Sequence, residues 1–143
     1  MPLVRISLAQ GKSAAVKKHI SDAIHQALVD TFNVPADDRF HVIGEHLPED
    51  FVCAPEYLGI RHIAADAVFI QITCNEGRSL EMKQALYRHM SDGIAERTGI
   101  SRADVLISLL ETKKENWSFG NGIAHYALPG AVVPGQSGTK ASV

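Results

Sequence analysis

Residues 4–38, VRISLAQGKSAAVKKHISDAIHQALVDTFNVPADD, and residues 70–104, IQITCNEGRSLEMKQALYRHMSDGIAERTGISRAD, lie over one another without a gap. The shift is 66 positions, Gly11 onto Gly77. Gly11-Lys12-Ser13 falls on Gly77-Arg78-Ser79, and Val4 and Ile6 fall on Ile70 and Ile72. Lys17 meets Lys83, Ile20 meets Leu86, Ile24 meets Met90, and Leu28 meets Ile94. Val34 meets Ile100 and Asp38 meets Asp104. A register that keeps apolar, glycine and serine positions together reads as a duplicated unit.

Each copy reads strand, helix, strand. Leu3–Leu8 is short and aliphatic and stops at Ala9-Gln10-Gly11, as a strand does. Ser13 is placed to cap a helix. Behind it Val16, Ile20, Ala23, Ile24, Ala27 and Leu28 recur at helical spacing, to about Phe32. Pro35 breaks the chain, and Arg39–Gly44 is the second strand. In the second copy Val68–Cys74 is the strand, Ser79 the cap, and Met82, Leu86, Met90 and Ile94 the apolar stripe. Gly99 ends that helix, residues 101–104 form a short capping turn, and Val105–Leu110 is the last long strand. Residues 45–67 are a long connection, expected as a loop with a short turn. Two β-α-β units predict an α/β (α+β) fold, a four-stranded sheet with both helices on one face. The other face is then bare. Strands such as Val68-Phe-Ile-Gln-Ile-Thr73 are too apolar for water, so sheet faces are expected to pack together in a closed homo-oligomeric ring.

The 143 residues suit one domain, expected over 1–128, with a tail at 129–143 that is mobile at its end. The net charge is −2 and no basic cluster interleaves with aromatics, which argues against nucleic acid or an anionic membrane as partner. No apolar run approaches the roughly 18–20 residues of a membrane span. Arg5, Ser7 and Gln10 interrupt the start, so it does not read as a signal peptide. Cys53 and Cys74 form neither a disulfide framework nor a CxxC pair, and a reducing, cytoplasmic location is the default. Cys74 closes an apolar run and is expected buried. The histidines at 19, 25, 41, 46, 62, 89 and 125 show no metal-ligand spacing. The sequence has no GxSxG, Walker or GxGxxG motif.

Four places carry chemistry. Pro2 is small enough a second residue to let Met1 be removed, which leaves a secondary amine at the head of a strand entering the core. An α-amino group titrates near about 7.7–8.0. Burial or a nearby cation lowers that and gives a neutral base, whereas a nearby carboxylate raises it and gives an acid. Proline is common enough that its position alone says little. Asp38 and Arg39 set a carboxylate and a guanidinium at one end of the sheet; the plain alternative is a turn with a surface ion pair, and Asp37 competes for the role. Arg78 precedes a helix cap, where free N–H groups and a guanidinium suit a carboxylate; the alternative is a solvated loop arginine, with Lys12 its duplicate. Residues 115–122, ENWSFGNG, carry Trp117 and Phe119 two apart, on one face of an extended segment. They wall a pocket or edge an oligomer contact, or else form a hairpin that plugs the core.

Together, Pro2-Leu-Val-Arg-Ile-Ser-Leu8, Pro35-Ala-Asp-Asp38-Arg39-Phe40, Gly77-Arg78-Ser79 and Asn116-Trp-Ser-Phe-Gly-Asn-Gly122 resemble the tautomerase superfamily. The similarity is closest to its malonate semialdehyde decarboxylase-like branch and runs from Pro2 to about Tyr126. It implies the tautomerase-like β-α-β repeat, a homotrimer, and Pro2 as the catalytic amino-terminal proline. It implies that Asp38 is the aspartate beside that proline. The decarboxylases hold the substrate carboxylate with two arginines, two apart. The second falls on Arg78 and the first on Glu76, a departure that weakens the clamp and disfavours an acidic substrate. Arg39 or Arg61 are the substitutes at hand.

The expectation is a small enzyme that tautomerises 2-oxo acids, in which neutral Pro2 moves the proton and Arg78 holds the substrate carboxylate. Asp38 orients a polar group or water. Trp117 and Phe119 form a dry wall, and Arg39 and Glu76 complete the substrate-binding set. The alternative is a 3-oxo acid decarboxylase, acting on a compound such as malonate semialdehyde, with a hydratase side reaction and a cationic Pro2 that Asp38 keeps protonated. A non-enzymatic ring protein ranks below both. Neither mechanism requires a metal or an organic cofactor.

Overall fold

The chain forms β1 (Leu3–Ala9), α1 (Ala14–Phe32), β2 (Phe40–His46), β3 (Glu56–Tyr57), β4 (Ile60–Arg61), β5 (Val68–Asn75), α2 (Leu80–Thr98) and β6 (Val105–Thr112), with short 3-10 turns between some of them. This computed structural model describes residues 1–134; the expected mobile end of the tail lies outside the described residues. In β1, Val4, Ile6 and Leu8 are buried and alternate with Leu3, Arg5 and Ser7. Period-two alternation therefore turns one set toward the helices and the other to the opposite face. The strand order is β2-β1-β5-β6. β1 pairs parallel with β2 and antiparallel with β5, and β5 pairs parallel with β6.

The two copies found in the sequence are equivalent in space. Ser13 and Ser79 each accept a hydrogen bond from the backbone N–H three residues on, Val16 and Met82, and so cap α1 and α2. Asn33 and Gly99, again 66 apart, end the two helices in the left-handed conformation, at φ 56° and 76°. Even an ion pair repeats: Lys17 to Glu45 in the first unit, Lys83 to Glu111 in the second. Shared local sequence yields shared caps and shared side-chain reach, so the duplication persists at atomic detail.

The core lies between the helices and one sheet face. Ile20, Ile24, Leu28 and Phe32 of α1 and Leu86, Met90 and Ile94 of α2 are fully buried against Val4, Ile6, Leu8, Ile70 and Ile72. Gly93 lets the helices approach closely, since a Cβ there would stand 3.3 Å from that of Ala23. Truncating a side chain in this layer removes its transfer energy and leaves a cavity. We expect Leu86→Ala to cost about 2–5 kcal/mol, read as a lowered urea midpoint at unchanged m-value. A midpoint equal to that of the parent chain would move Leu86 out of the core.

The opposite face is uncovered over much of its area. Phe40 and Val42 of β2 are 49% and 52% exposed, and Leu106 and Leu110 of β6 are 44% and 48% exposed. At one end, residues 47–67 fold over this face: Phe51 packs on Phe69 at 4.5 Å between ring centroids, with Ala9 and Ala67 beneath. Residues 45–67 hold more structure than a loop with a turn, namely the Pro48–Asp50 turn and the hairpin β3–β4. Leu58 and Gly59, both at positive φ (50° and 78°), make its two-residue turn. Leucine gives no sign of that conformation in the sequence. Among the described residues, no helix is long and apolar enough to cross a membrane.

Candidate functional site

The head of β1 sits between two elements that the sheet register brings to it. Leu3 pairs with Phe40 of β2 and with Thr73 of β5. The residues just before it therefore lie between the Asp38-Arg39 turn and the Cys74-Asn75 end of β5. Pro2 is buried there. With Met1 present, the terminal charge is on Met1, one residue outward from the nitrogen that becomes the terminus when Met1 is removed. The terminal amine of this structure is that of Met1. It lies 3.6 Å from Asp38 Oδ2 and 3.4 Å from the Tyr126 hydroxyl oxygen. Burial pushes its pKa below the ordinary amino-terminal value; Asp38 opposes the shift and Arg78 adds to it.

Asp38 is held by the Pro35–Asp38 turn, whose closing bond runs from the Asp38 N–H to the Pro35 carbonyl at 3.0 Å. One carboxylate oxygen faces the amine, and the other, Oδ1, is buried without a hydrogen-bond partner. A buried acceptor left open is costly unless something donates to it. Arg78 is not a solvated loop arginine. It is 9% exposed, its Nη1 donates to the Asn75 carbonyl at 3.0 Å, and its guanidinium carbon lies 4.8 Å from the centre of the Phe32 ring. Gly77, at φ 116°, turns the chain between Asn75 and Arg78. The guanidinium is thus fixed on an aromatic face and a carbonyl, and close enough to the amine to lower its pKa.

Trp117 and Phe119 follow the 3-10 turn at Lys114–Asn116 in an irregular segment and not in a hairpin. They are stacked at 5.5 Å, and Trp117 Nε1 donates to Asn75 Oδ1 at 2.8 Å. Residues 120–122 follow at positive φ and reverse the chain. The Phe119 N–H then donates to His125 Nδ1 at 3.2 Å, and the Tyr126 ring meets Phe119 edge-on at 4.8 Å. Tyr126 reaches the amine by this route. Burial, with Asp38 nearby, pushes its phenol above the usual range, so it remains a proton donor at neutral pH.

Pro2, Asp38, Arg78, Trp117 and Phe119 therefore converge, and Tyr126 and Asn75 join them. Neither of the last two was singled out in the sequence. Tyr126 lies beyond a glycine-bearing reversal that periodicity does not read. Asn75 is 1% exposed, its oxygen is taken by Trp117, and its Nδ2 is buried without a partner. Its one sequence signal is its place just before Glu76-Gly77-Arg78. Arg39 departs from the expected set: its Nη1 is 2.6 Å from Asp22 Oδ1, so it is paired onto α1. The Glu76 side chain is exposed, while its N–H donates to the Thr112 carbonyl at 3.0 Å. Arg61 is exposed in β4, and Lys12, the duplicate of Arg78, is paired with Asp66.

Comparison with known proteins identifies the family. Two family models, each described as tautomerase enzyme, match residues 2–61 and 38–120. A curated Bacillus subtilis protein named "Probable tautomerase YusQ" is 37% identical over 124 residues, covering 87% of this chain and 97% of that one. A crystal structure of malonate semialdehyde decarboxylase, described with decarboxylase and hydratase activities, superposes with a TM-score of 0.79 at 34% identity, covering 87% of this chain and 95% of that one. The FG41 malonate semialdehyde decarboxylase, inhibited by 3-bromopropiolate, gives 0.80 at 33% identity, covering 89% and 99%. A fused 4-OT trimer shares the fold, with a TM-score of 0.70 at 22% identity over 85% of this chain and 94% of that one.

Proposed function

The chain belongs to the tautomerase superfamily, in its malonate semialdehyde decarboxylase-like branch, and from that premise we propose that it tautomerises 2-oxo acids with Pro2 as the base. The observation that carries this reading is the terminal amine. Its largest influence is burial, which favours the neutral form, and Arg78 acts in the same direction. Pro2, one residue inward, is itself buried. A neutral secondary amine takes a proton from the carbon beside the substrate carbonyl, and the electron pair of that C–H bond becomes the enol double bond. Tyr126, protonated and near the amine, supplies a proton to the carbonyl oxygen, and the proton taken up by Pro2 passes to the tyrosinate, which restores both groups. Arg78 binds the substrate carboxylate, and Asp38 accepts from a water or a substrate hydroxyl. Trp117 and Phe119 keep the site dry, which strengthens each of these polar interactions. Arg39, paired with Asp22, and Glu76, with its exposed side chain, stand outside this scheme.

One observation favours the second reading, decarboxylation of a 3-oxo acid. Asp38 lies 3.6 Å from the amine and supports its cationic form. A cationic Pro2 would hold the 3-oxo group while the bond to CO2 breaks and its electrons pass toward the carbonyl. The resemblance to the two decarboxylases supports the same alternative. We further propose that the chain works as a homotrimer in the cytoplasm, since the apolar sheet face needs a cover and the fused 4-OT is described as a trimer.

The two readings demand opposite protonation states and so opposite pH profiles. For a neutral base, kcat/KM falls as pH drops through the amine pKa and is level above it. For a cationic Pro2, activity is level at low pH and falls as pH rises through that pKa. With Met1 removal verified by mass spectrometry, we expect a 2-oxo acid to be enolised with the first profile. The second profile, or turnover of malonate semialdehyde alone, reassigns the enzyme to decarboxylation.

A further inference from the structure

His25 projects from α1 beneath the Asp38 turn and is 5% exposed. Its Nε2 lies 2.8 Å from the Ala36 carbonyl oxygen. A carbonyl only accepts, so Nε2 carries the hydrogen and Nδ1, in the neutral ring, is the bare nitrogen. That Nδ1 is buried without a partner. The ring of His41 on β2 stands edge-on to it, 6.2 Å away between centroids. Its Nδ1 is 2.7 Å from Ser21 Oγ and its Nε2 is also buried without a partner. Arg39 and Asp22 border this group through their own ion pair. Two histidines and a serine are thus enclosed behind the turn, and none of them enters the chemistry above.

The expense of enclosing them needs a reason, and the turn supplies one. Ala36 is central to the Pro35–Asp38 turn. Besides the closing bond from the Asp38 N–H, the turn is tied to α1 by the Val34 N–H to the Leu28 carbonyl, at 3.3 Å, by His25, and just beyond Asp38 by the Arg39–Asp22 ion pair at 2.6 Å. Of these, the bond from His25 is the one that a side chain makes to the turn's own backbone. The carboxylate of Asp38 has one oxygen at the amine and the other unpartnered, so its position depends on its backbone. We propose that His25 is a positioning residue for Asp38: its Nε2–H holds the Ala36 carbonyl, and with it the turn that sets the carboxylate beside the terminal amine. This rests on reading that amine as the reacting group. The His41 ring packs against the edge of His25 and Ser21 anchors His41, so the three residues brace one another.

The test uses the full chain with Met1 removed, and reads the titration of the Pro2 amine by nitrogen NMR together with steady-state kinetics on a 2-oxo acid. His25→Met removes the donor and keeps much of the volume. His25→Gln retains an N–H at about the reach of Nε2. Asp38 raises the pKa of the amine, so loosening it moves the titration downward. In His25→Met we expect a fall of about one unit, within the range an ion pair exerts. We expect kcat to drop about tenfold, as displacement of a reacting-site group does, with KM little changed. His25→Gln restores both. In an Asp38→Asn background the His25 substitution no longer moves the titration, which a general loss of packing would not reproduce. An unchanged titration in His25→Met overturns the proposal. So does an equal shift with and without Asp38, or equal loss in the Met and Gln variants in step with Tm. The titration needs no substrate, so absence of turnover in the parent chain sinks the functional reading while the role of His25 is still decided.

Discussion

Replacing Pro2 by alanine is expected to lower kcat/KM by about 10²–10⁴-fold, the range that a positioned acid or base contributes. Alanine is small enough for Met1 still to be removed, so a terminal amine remains in the same place. What changes is its kind. Proline offers a secondary amine whose ring fixes the direction of the lone pair, at an end of the sheet where burial lowers the pKa of the Met1 amine. The alanine amine is primary and free to rotate about its bond, so a proton in flight meets it in many orientations. The strand behind it, with Val4, Ile6 and Leu8 in the core, is unaltered, and the oligomer is expected to persist. Steady-state kinetics with mass-verified termini and a sizing measurement check both parts. A fully active alanine variant would remove the terminal amine from the mechanism.

Arg78→Ala is expected to act on two quantities at once. Loss of a charge-assisted carboxylate contact is worth about 1.5–3 kcal/mol, so KM for a 2-oxo acid should rise by roughly ten- to a hundredfold. The same change leaves the Asn75 carbonyl without its donor and the Phe32 ring without its cation. Destabilisation of about 1–3 kcal/mol follows from the unsatisfied acceptor. From sequence, Arg78 reads as either a ligand for substrate or a solvated loop residue, and truncation would then disturb one property or neither. Its burial predicts that both move. Arg78→Lys separates them: a lysine keeps the charge but loses the planar fork. It should recover part of KM and little of the stability. Unchanged KM with lowered Tm in the alanine variant would make Arg78 a structural residue.

The duplicated unit was legible before any coordinates because it rests on local rules. Ser13 and Ser79 cap helices through bonds three residues away. Gly11 and Gly77 turn the chain at positive φ, and the stripe from Ile20 to Leu28 recurs every third or fourth position. Such signals need no knowledge of distant chain. Pro2, Asp38 and Arg78 were legible for a different reason, the resemblance; it is the strand order, with β1 inside the sheet, that brings the head of β1, the turn before β2 and the turn after β5 to one end. Once topology is read, their proximity follows, and the resemblance carried their chemical roles.

Direction and pairing of side chains were not legible in the same way. Arg39 follows Asp38 in the chain, yet it turns to Asp22 of α1, a carboxylate that the packing of α1 holds at ion-pair distance. Tyr126 reaches the site through a reversal at 120–122 and two ring contacts. His25 reads in the sequence as one of the histidines without metal-ligand spacing, until its burial and its bond to Ala36 are seen. By itself the sequence determined the repeat, the strand and helix order and the bare apolar face, and the resemblance added Pro2, Asp38, Arg39 and Arg78. Only the tertiary structure decided which of those residues face the amine, which are paired elsewhere and which are braced from behind. Periodicity and capping act over a few residues and are written in the local chain. Electrostatic pairing and desolvation depend on distance and burial, which exist only after the distant segments have packed together.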